Sequence, residues 1–282
     1  METLFVSDLD GTLLRNDATL SEYSRQVLRD LIADGLKFTV ASARSVVSIG
    51  MMLGGLRLNL PVVEMNGAFL SDLETGRHEV INSLEEAVAR DICELLPAFG
   101  CVPFISTFNG KEDCVYYRDI VNEGMRWYLE DRLSKRDPRW RRTDDLFATL
   151  KEDVVCLTII GERSAIGELH QAVLERHREA VVTHYFENQY SPGWYWLTIH
   201  HQRATKDRAI RLLMETYGLA DHKLVVFGDQ ENDLDMFRTA DHAVAVANAI
   251  PELKAHASEI IGSNEEDSVA RYLLRVKGNE LV

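Results

Sequence analysis

The sequence predicts an α/β fold: a doubly wound parallel sheet core interrupted by an inserted α+β domain. Three observations carry this. Short apolar runs alternate with amphipathic helical stretches in both the first and the last third of the chain. Those runs end on small or acidic residues, Ser7-Asp8, Ser42, Asn66-Gly67 and Gly228-Asp229. The middle of the chain loses this rhythm and alternates apolar with polar residues instead.

The first strand is Leu4-Phe5-Val6. Ser21 to Asp34 reads as a helix, with Val27, Leu28, Leu31 and Ile32 on one face. Ser21 suits the N-cap, and Gly35 sits where a C′ glycine would. Leu36 to Ala41 and Leu60 to Met65 are the second and third strands. Strand, helix, strand, loop, strand calls for a parallel sheet with helical cover. The pattern returns with a helix over Thr205 to Tyr217, its Ala209, Ile210, Leu213, Met214 and Tyr217 facing inward and Gly218 ending it. Leu224 to Phe227 is a further buried strand. His242 to Ala247, a helix opened by Pro251, Glu259 to Ile261 and a last helix from about Glu265 complete the core. Between them, residues 82–188 carry alternating stretches (Cys114 to Tyr117, Val154 to Ile160) and amphipathic helices (Leu84 to Leu96, Arg163 to His177). The core is therefore expected to be discontinuous, 1–81 plus 189–282.

With 31 basic and 45 acidic side chains, the formal net charge is −14. That field repels nucleic acid and anionic membranes, so neither is an expected partner. It also repels a phosphorylated ligand, and a phosphate site here needs local cations. Cys93, Cys101, Cys114 and Cys156 form no CxxC pair and no disulfide framework, which fits a reducing compartment. No apolar run reaches the ~18 residues of a membrane span. The apolar part of METLFVSD is too short for a signal peptide, and a cytoplasmic protein is expected, monomeric or homodimeric.

The chemistry concentrates at the strand ends. In open α/β sheets, ligands bind beyond the carboxyl edge. Asp8-Leu9-Asp10-Gly11-Thr12 places two carboxylates there, one able to attack phosphorus and one able to move a proton. Asp-x-Asp also suits Mg²⁺, a hard cation that takes oxygen ligands; a polar turn with chance acids is the lesser reading of the motif alone. Gly228-Asp229-Gln230-Glu231-Asn232-Asp233 offers two more acids four apart, either for Mg²⁺ or as an acidic helix start. Lys206, at a helix start, can neutralise phosphate oxygens, although a lone lysine is usually a solvated one. Ser42 ends the second strand and can hold a transferring phosphoryl group together with the backbone N–H groups that follow it.

Taken in order, DLDGT, a hydroxyl residue ending strand two, a distant lysine and GDxxND resemble the haloacid-dehalogenase-like phosphatase superfamily. The insert, Asn66-Gly67-Ala68, and Asn248-Ala249 before Pro251-Glu252-Leu253-Lys254 resemble its Cof-like sugar-phosphatase branch. The resemblance implies a Rossmann-like core with a class IIB-type α/β cap, residues 82–188, that sets substrate choice. It implies that Asp8 is nucleophile and Mg²⁺ ligand. Asp10 is general acid/base, with its backbone carbonyl on the metal. Ser42, Ala43, Lys206 and Asn232 hold phosphate; Asp229 binds Mg²⁺ and Asp233 supports it. The branch usually has Thr-Gly-Arg or Ser-Gly-Arg where this chain has Ser42-Ala43-Arg44, and glycine where it has Ser268.

The function implied is Mg²⁺-dependent hydrolysis of small phosphorylated metabolites, sugar phosphates foremost, through an aspartyl-phosphate. A phosphosugar mutase or phosphotransferase, and a non-catalytic phosphometabolite-binding protein, are the alternatives. The aromatics Tyr116, Tyr117, Trp127, Tyr128 and Trp140 read as core or as a sugar-stacking surface. Trp194 to Trp196 are expected near the return hinge, with a turn at Tyr190 to Gly193. The basic stretch Arg132, Lys135, Arg136, Arg139, Arg141 and Arg142 reads as a solvated helix and loop. His200-His201 lacks metal-ligand spacing and is assigned no role.

Overall fold

The computed structural model describes residues 2–188 and 191–280, with backbone alone for residues 279 and 280. The chain divides into two compact units at Val80/Ile81 and Ala204/Thr205. In chain order, the elements of the first stretch are β1 (Thr3–Ser7), α1 (Glu22–Ala33), β2 (Lys37–Val40), α2 (Val46–Leu53), β3 (Val62–Glu64), β4 (Phe69–Ser71) and β5 (His78–Ile81). The second unit holds α3 (Glu86–Leu95), β6 (Pro103–Phe108), β7 (Asp113–Tyr117), α4 (Glu123–Ser134), β8 (Trp140–Arg142), β9 (Asp153–Gly161), α5 (Arg163–His177), β10 (Val181–Glu187) and β11 (Tyr195–His201). The chain then returns through α6 (Lys206–Thr216), β12 (Lys223–Gly228), α7 (Leu234–Thr239), β13 (His242–Ala245), α8 (Pro251–Ala255), β14 (Glu259–Ile260) and α9 (Ser268–Glu280).

In the first unit, a five-stranded sheet runs β14-β13-β12-β1-β2. All of its pairings are parallel. A single parallel bridge, Ala41 to Val63, carries it on towards the three-stranded sheet β3-β4-β5. Strand order reverses at β1, which lies between β2 and β12. Such a switch point opens a crevice at the carboxyl ends of the two central strands, and those ends lead into Asp8 and Asp229. The strands read as near-continuous apolar runs because both faces are covered: Leu4, Val6, Phe38, Val40, Val226 and Val244 are fully buried. Helix α1 forms as expected. Ser21 Oγ accepts the N–H of Ser24 at 2.9 Å, Val27, Leu28 and Leu31 are buried, and Gly35 adopts φ +94° just past the end.

The second unit is one six-stranded sheet, β10-β11-β9-β6-β7-β8, antiparallel except for β7 with β8. Helices α3 and α5 cover one face through Ile92, Ile166, Leu169 and Val173. Helix α4 covers part of the other through Met125, over Phe104, Ile160 and Trp196. The aromatic residues are mostly core here. Tyr128 meets Trp140 edge-on at 5.2 Å and Trp196 at 4.5 Å.

Several expectations need correction. The return boundary lies at 204/205, not 188/189, because β11 pairs with β9 and β10 and so belongs to the second sheet. Trp196 is therefore a strand residue and not a hinge residue. Tyr190 of the expected turn lies outside the described residues; Ser191 to Gly193 do turn. Tyr217 faces outward, its hydroxyl donating to Glu79 at 2.8 Å. The last helix begins at Ser268, after a short turn over 264–266 and Asp267 at φ +55°. The basic stretch is locally paired: Lys135 with Asp131, Arg139 with Asp137 and Arg141 with Glu112.

Candidate active site

Four side chains converge at the carboxyl ends of β1 and β12 with the start of α6. Asp8, Asp229, Asp233 and Lys206 are 6, 3, 0 and 2% exposed. The Lys206 ammonium donates to Asp8 Oδ1 at 2.5 Å and to Asp233 Oδ1 at 2.7 Å. Asp8 reaches this point because β1 ends one residue earlier, its backbone N–H still bonded to Phe227 O at 2.9 Å. Asp233 Oδ2 accepts the backbone N–H groups of Asp229 and Gln230 at 2.9 and 3.1 Å, which closes the loop after β12. Thr12 Oγ1 donates to Asp229 Oδ1 at 2.8 Å, and Gln230 Nε2 to Asp229 Oδ2 at 3.1 Å. Gly11 has φ +74°, and a Cβ there would sit 2.4 Å from Asp229 Oδ2. Only glycine allows the two acidic loops to approach this closely.

One ammonium faces three carboxylates, and the electrostatics follow. Burial raises the Asp8 carboxyl well above the usual range; Lys206 opposes this, while Asp233, Asp229 and Asp10 reinforce it. Burial and Asp233 push Asp229 up to about 6. Burial alone would lower the Lys206 ammonium, but Asp233 and Asp8 outweigh it and hold it above its ordinary value. A further cation would relieve this crowding. One oxygen from each of Asp8, Asp229 and Asp233 falls within 4.8 Å of the others, an all-oxygen donor set of the kind a hard divalent cation takes. The oxygens of Asp233 are already bonded to Lys206 and to backbone N–H groups.

Asp10 lies outside this group. Its carboxylate is gripped by the Arg44 guanidinium, Nε to Oδ2 at 2.7 Å and Nη2 to Oδ1 at 2.6 Å. Its carboxylate is not among the oxygens that converge with Asp8, Asp229 and Asp233. Sequence reasoning gave Arg44 no role, because an arginine after a strand is ordinary; its place in the Ser42-Ala43-Arg44 loop was the available signal. Ser42 is buried and its Oγ accepts the Arg44 N–H at 3.2 Å, while Ala43 is exposed. Asn232 Nδ2 donates to Asn66 Oδ1 at 3.0 Å, which ties the loop after β12 to the turn after β3. Asn66 and Thr12 are the other residues sequence reasoning left without a role.

A parallel sheet with an acidic pair after its central strand, a buried lysine and a second acidic loop defines a class. The haloacid dehalogenase-like hydrolase model matches residues 5–273, and the chain belongs to that family. Over 97% of its length it is 26% identical to the 5-amino-6-(5-phospho-D-ribitylamino)uracil phosphatase YitU of Bacillus subtilis, covering 98% of that protein. It is also 26% identical to the HMP-PP phosphatase of Escherichia fergusonii, over 97% of this chain and 95% of that one. Among solved structures, TM0651 from Thermotoga maritima is similar with a TM-score of 0.79 and 28% identity, over 98% of this chain and 97% of that one. The chain is thus an enzyme of the phosphoric monoester hydrolase type. Among the described residues, no helix is long and apolar enough to cross a membrane.

Proposed function

We propose that this enzyme is a Mg²⁺-dependent, cytoplasmic phosphatase of small phosphorylated metabolites, with Asp8 as nucleophile. The observation that carries the reading is the Asp8–Lys206 contact of 2.5 Å inside a buried group of three carboxylates. Lys206 holds one Asp8 oxygen and so aims the other away from itself. Attack on phosphorus makes an aspartyl-phosphate and releases the alcohol; water then cleaves the acyl phosphate and restores Asp8. Asp10 gives a proton to the leaving oxygen and takes one from the attacking water. Each of its oxygens accepts one bond from Arg44 and keeps a second lone pair for the proton. Ser42, Lys206 and Asn232 contribute donors to the phosphoryl oxygens. Asp8, Asp229 and the Asp10 carbonyl would hold Mg²⁺, supported by Asp233; when bound, the ion neutralises charge on the transferring group.

The second unit is proposed as the domain that chooses the substrate. Sugar phosphates are the expected class. The relative from Bacillus subtilis is named for a phosphorylated ribityl chain on a uracil, so phosphorylated polyols joined to a heterocycle belong in the same panel.

Phosphate release from p-nitrophenyl phosphate and from sugar, nucleotide and heterocycle-linked phosphates, with Mg²⁺ or EDTA, tests the proposal. Release that needs Mg²⁺ and disappears in Asp8→Asn is the expected result. Full activity in Asp8→Asn would remove Asp8 as nucleophile, and strict dependence on an acceptor sugar would make the enzyme a phosphotransferase.

A further inference from the structure

A fourth buried carboxylate lies in the first unit, outside the reacting group. Glu64 ends β3 and is fully buried. Its Oε2 accepts the backbone N–H of Val46, the first residue of α2, and its Oε1 accepts the Ser71 hydroxyl. Ser71 Oγ in turn lies 2.7 Å from His78 Nδ1, which is also 3.3 Å from Glu64 Oε1. The His78 ring stacks on Phe69 at 4.0 Å. Ser71 has one hydrogen, which it gives to Glu64. Every bond Glu64 receives comes from a donor, as suits a carboxylate and not an amide.

The chain that follows Glu64 is strained. Met65, Asn66 and Gly67 have φ of +49°, +57° and +98°. Such a run of left-handed residues persists only where its surroundings hold it. This turn reaches the loops that carry the site. Met65 N–H donates to Arg44 O and Asn66 N–H to Ser42 O, each at 2.9 Å. Asn66 Oδ1 accepts from Asn232. Gly67 lies so close to the chain before Lys206 that a Cβ would fall 2.5 Å from Thr205 O.

We propose that Glu64 is a positioning residue for the phosphoryl-binding loop Ser42 to Arg44. Its carboxylate fastens the start of α2, immediately after that loop, to the strained turn whose backbone holds Ser42 and Arg44 from the other side. Ser71 and His78 fix the carboxylate in place. The assignment rests on the phosphatase reading of the site, although its effect on anion binding does not need turnover.

The test compares wild type with Glu64→Gln and Ser71→Ala in the full chain. Steady-state kinetics on p-nitrophenyl phosphate, the affinity for inorganic phosphate with Mg²⁺ by calorimetry, and thermal unfolding are measured on each. In Glu64→Gln, KM and the phosphate Kd are expected to rise by about 10- to 100-fold, with a smaller fall in kcat. Ser71→Ala moves both constants in the same direction by less, and it serves as the reporter if Glu64→Gln does not fold. Unchanged KM and phosphate Kd in the folded variants, including a change confined to thermal stability, would overturn the proposal. Absence of turnover in wild type would instead overturn the phosphatase reading, and phosphate affinity would still decide the role of Glu64.

Discussion

At the ends of β1 and β12, the first unit buries three carboxylates against one ammonium. On β9 and β11, the second unit buries a thiol, a hydroxyl and an imidazole. Cys156 Sγ lies 3.4 Å from Thr158 Oγ1 and 3.6 Å from His200 Nε2, while His200 Nδ1 lies 3.0 Å from Val155 O. Burial, helped by His184, holds His200 down at about 3, and burial pushes Cys156 up to about 12. Both groups are therefore neutral at pH 7. The second cluster needs nothing further, since its charges are absent and its polar atoms are bonded. The first is left with excess negative charge that only protons or a cation can balance. Burial of polar groups does not mark a site by itself; an unbalanced charge does.

Breaking the charged cluster should have the largest effects. Asp8→Asn is expected to lower phosphate release by at least about 10³-fold. Calorimetry on the metal-free variant should show unfolding at or above the wild-type temperature, because a crowded buried charge has gone. A large fall in that temperature would mean that Asp8 is held there for structure. Lys206→Met removes the one ammonium from the three carboxylates. It should cost about 3–5 kcal/mol in EDTA, read by urea denaturation, with much of the loss restored by Mg²⁺.

The comparison sharpens when pH is varied. Asp229 titrates near 6 in the folded chain against a usual 3.8, so between those values the folded state binds more protons than the unfolded one. That contribution to stability is lost as pH rises through 6 in the absence of metal. Mg²⁺ should reverse the loss, adding about 2.7 kcal/mol at a concentration 100 times its Kd when measured at pH 7, and less at pH 5, where protons compete. His200 has the opposite sign. Its folded value of about 3 lies below the usual 6.5, so the unfolded chain binds the extra proton and stability falls with pH below 6.5. Between pH 7 and pH 5 that loss is about 2 kcal/mol, and His200→Gln should flatten it. An equal slope in His200→Gln would show that His200 is not the group responsible.

The legible parts of the molecule were those where local chemistry repeats a rule. Ser21 and Gly35 bracket α1 as capping predicts, and Leu4 to Val6 and Leu224 to Phe227 are the apolar runs of strands buried on both faces. Asp8, Asp229, Asp233 and Lys206 were named from their places at element boundaries, and the fold brings them together. The return boundary was missed because an edge between units is set by strand pairing, and Tyr195 to His201 carries no local sign that its partners are β9 and β10. Tyr217 was misplaced because helical periodicity does not reveal where the neighbouring layer ends.

By itself the sequence determined most elements of the core, the parallel character of its sheet and which acids stand at strand ends, since these follow from side-chain period, capping and turn chemistry over a few residues. Only the tertiary structure decided which groups share a dielectric environment. It gave Asp10 to Arg44 and Asn66 to Asn232, pairs 34 and 166 residues apart. Contacts of this kind depend on where β1, β12 and the turn after β3 are placed by the whole sheet, and no local pattern specifies that placement.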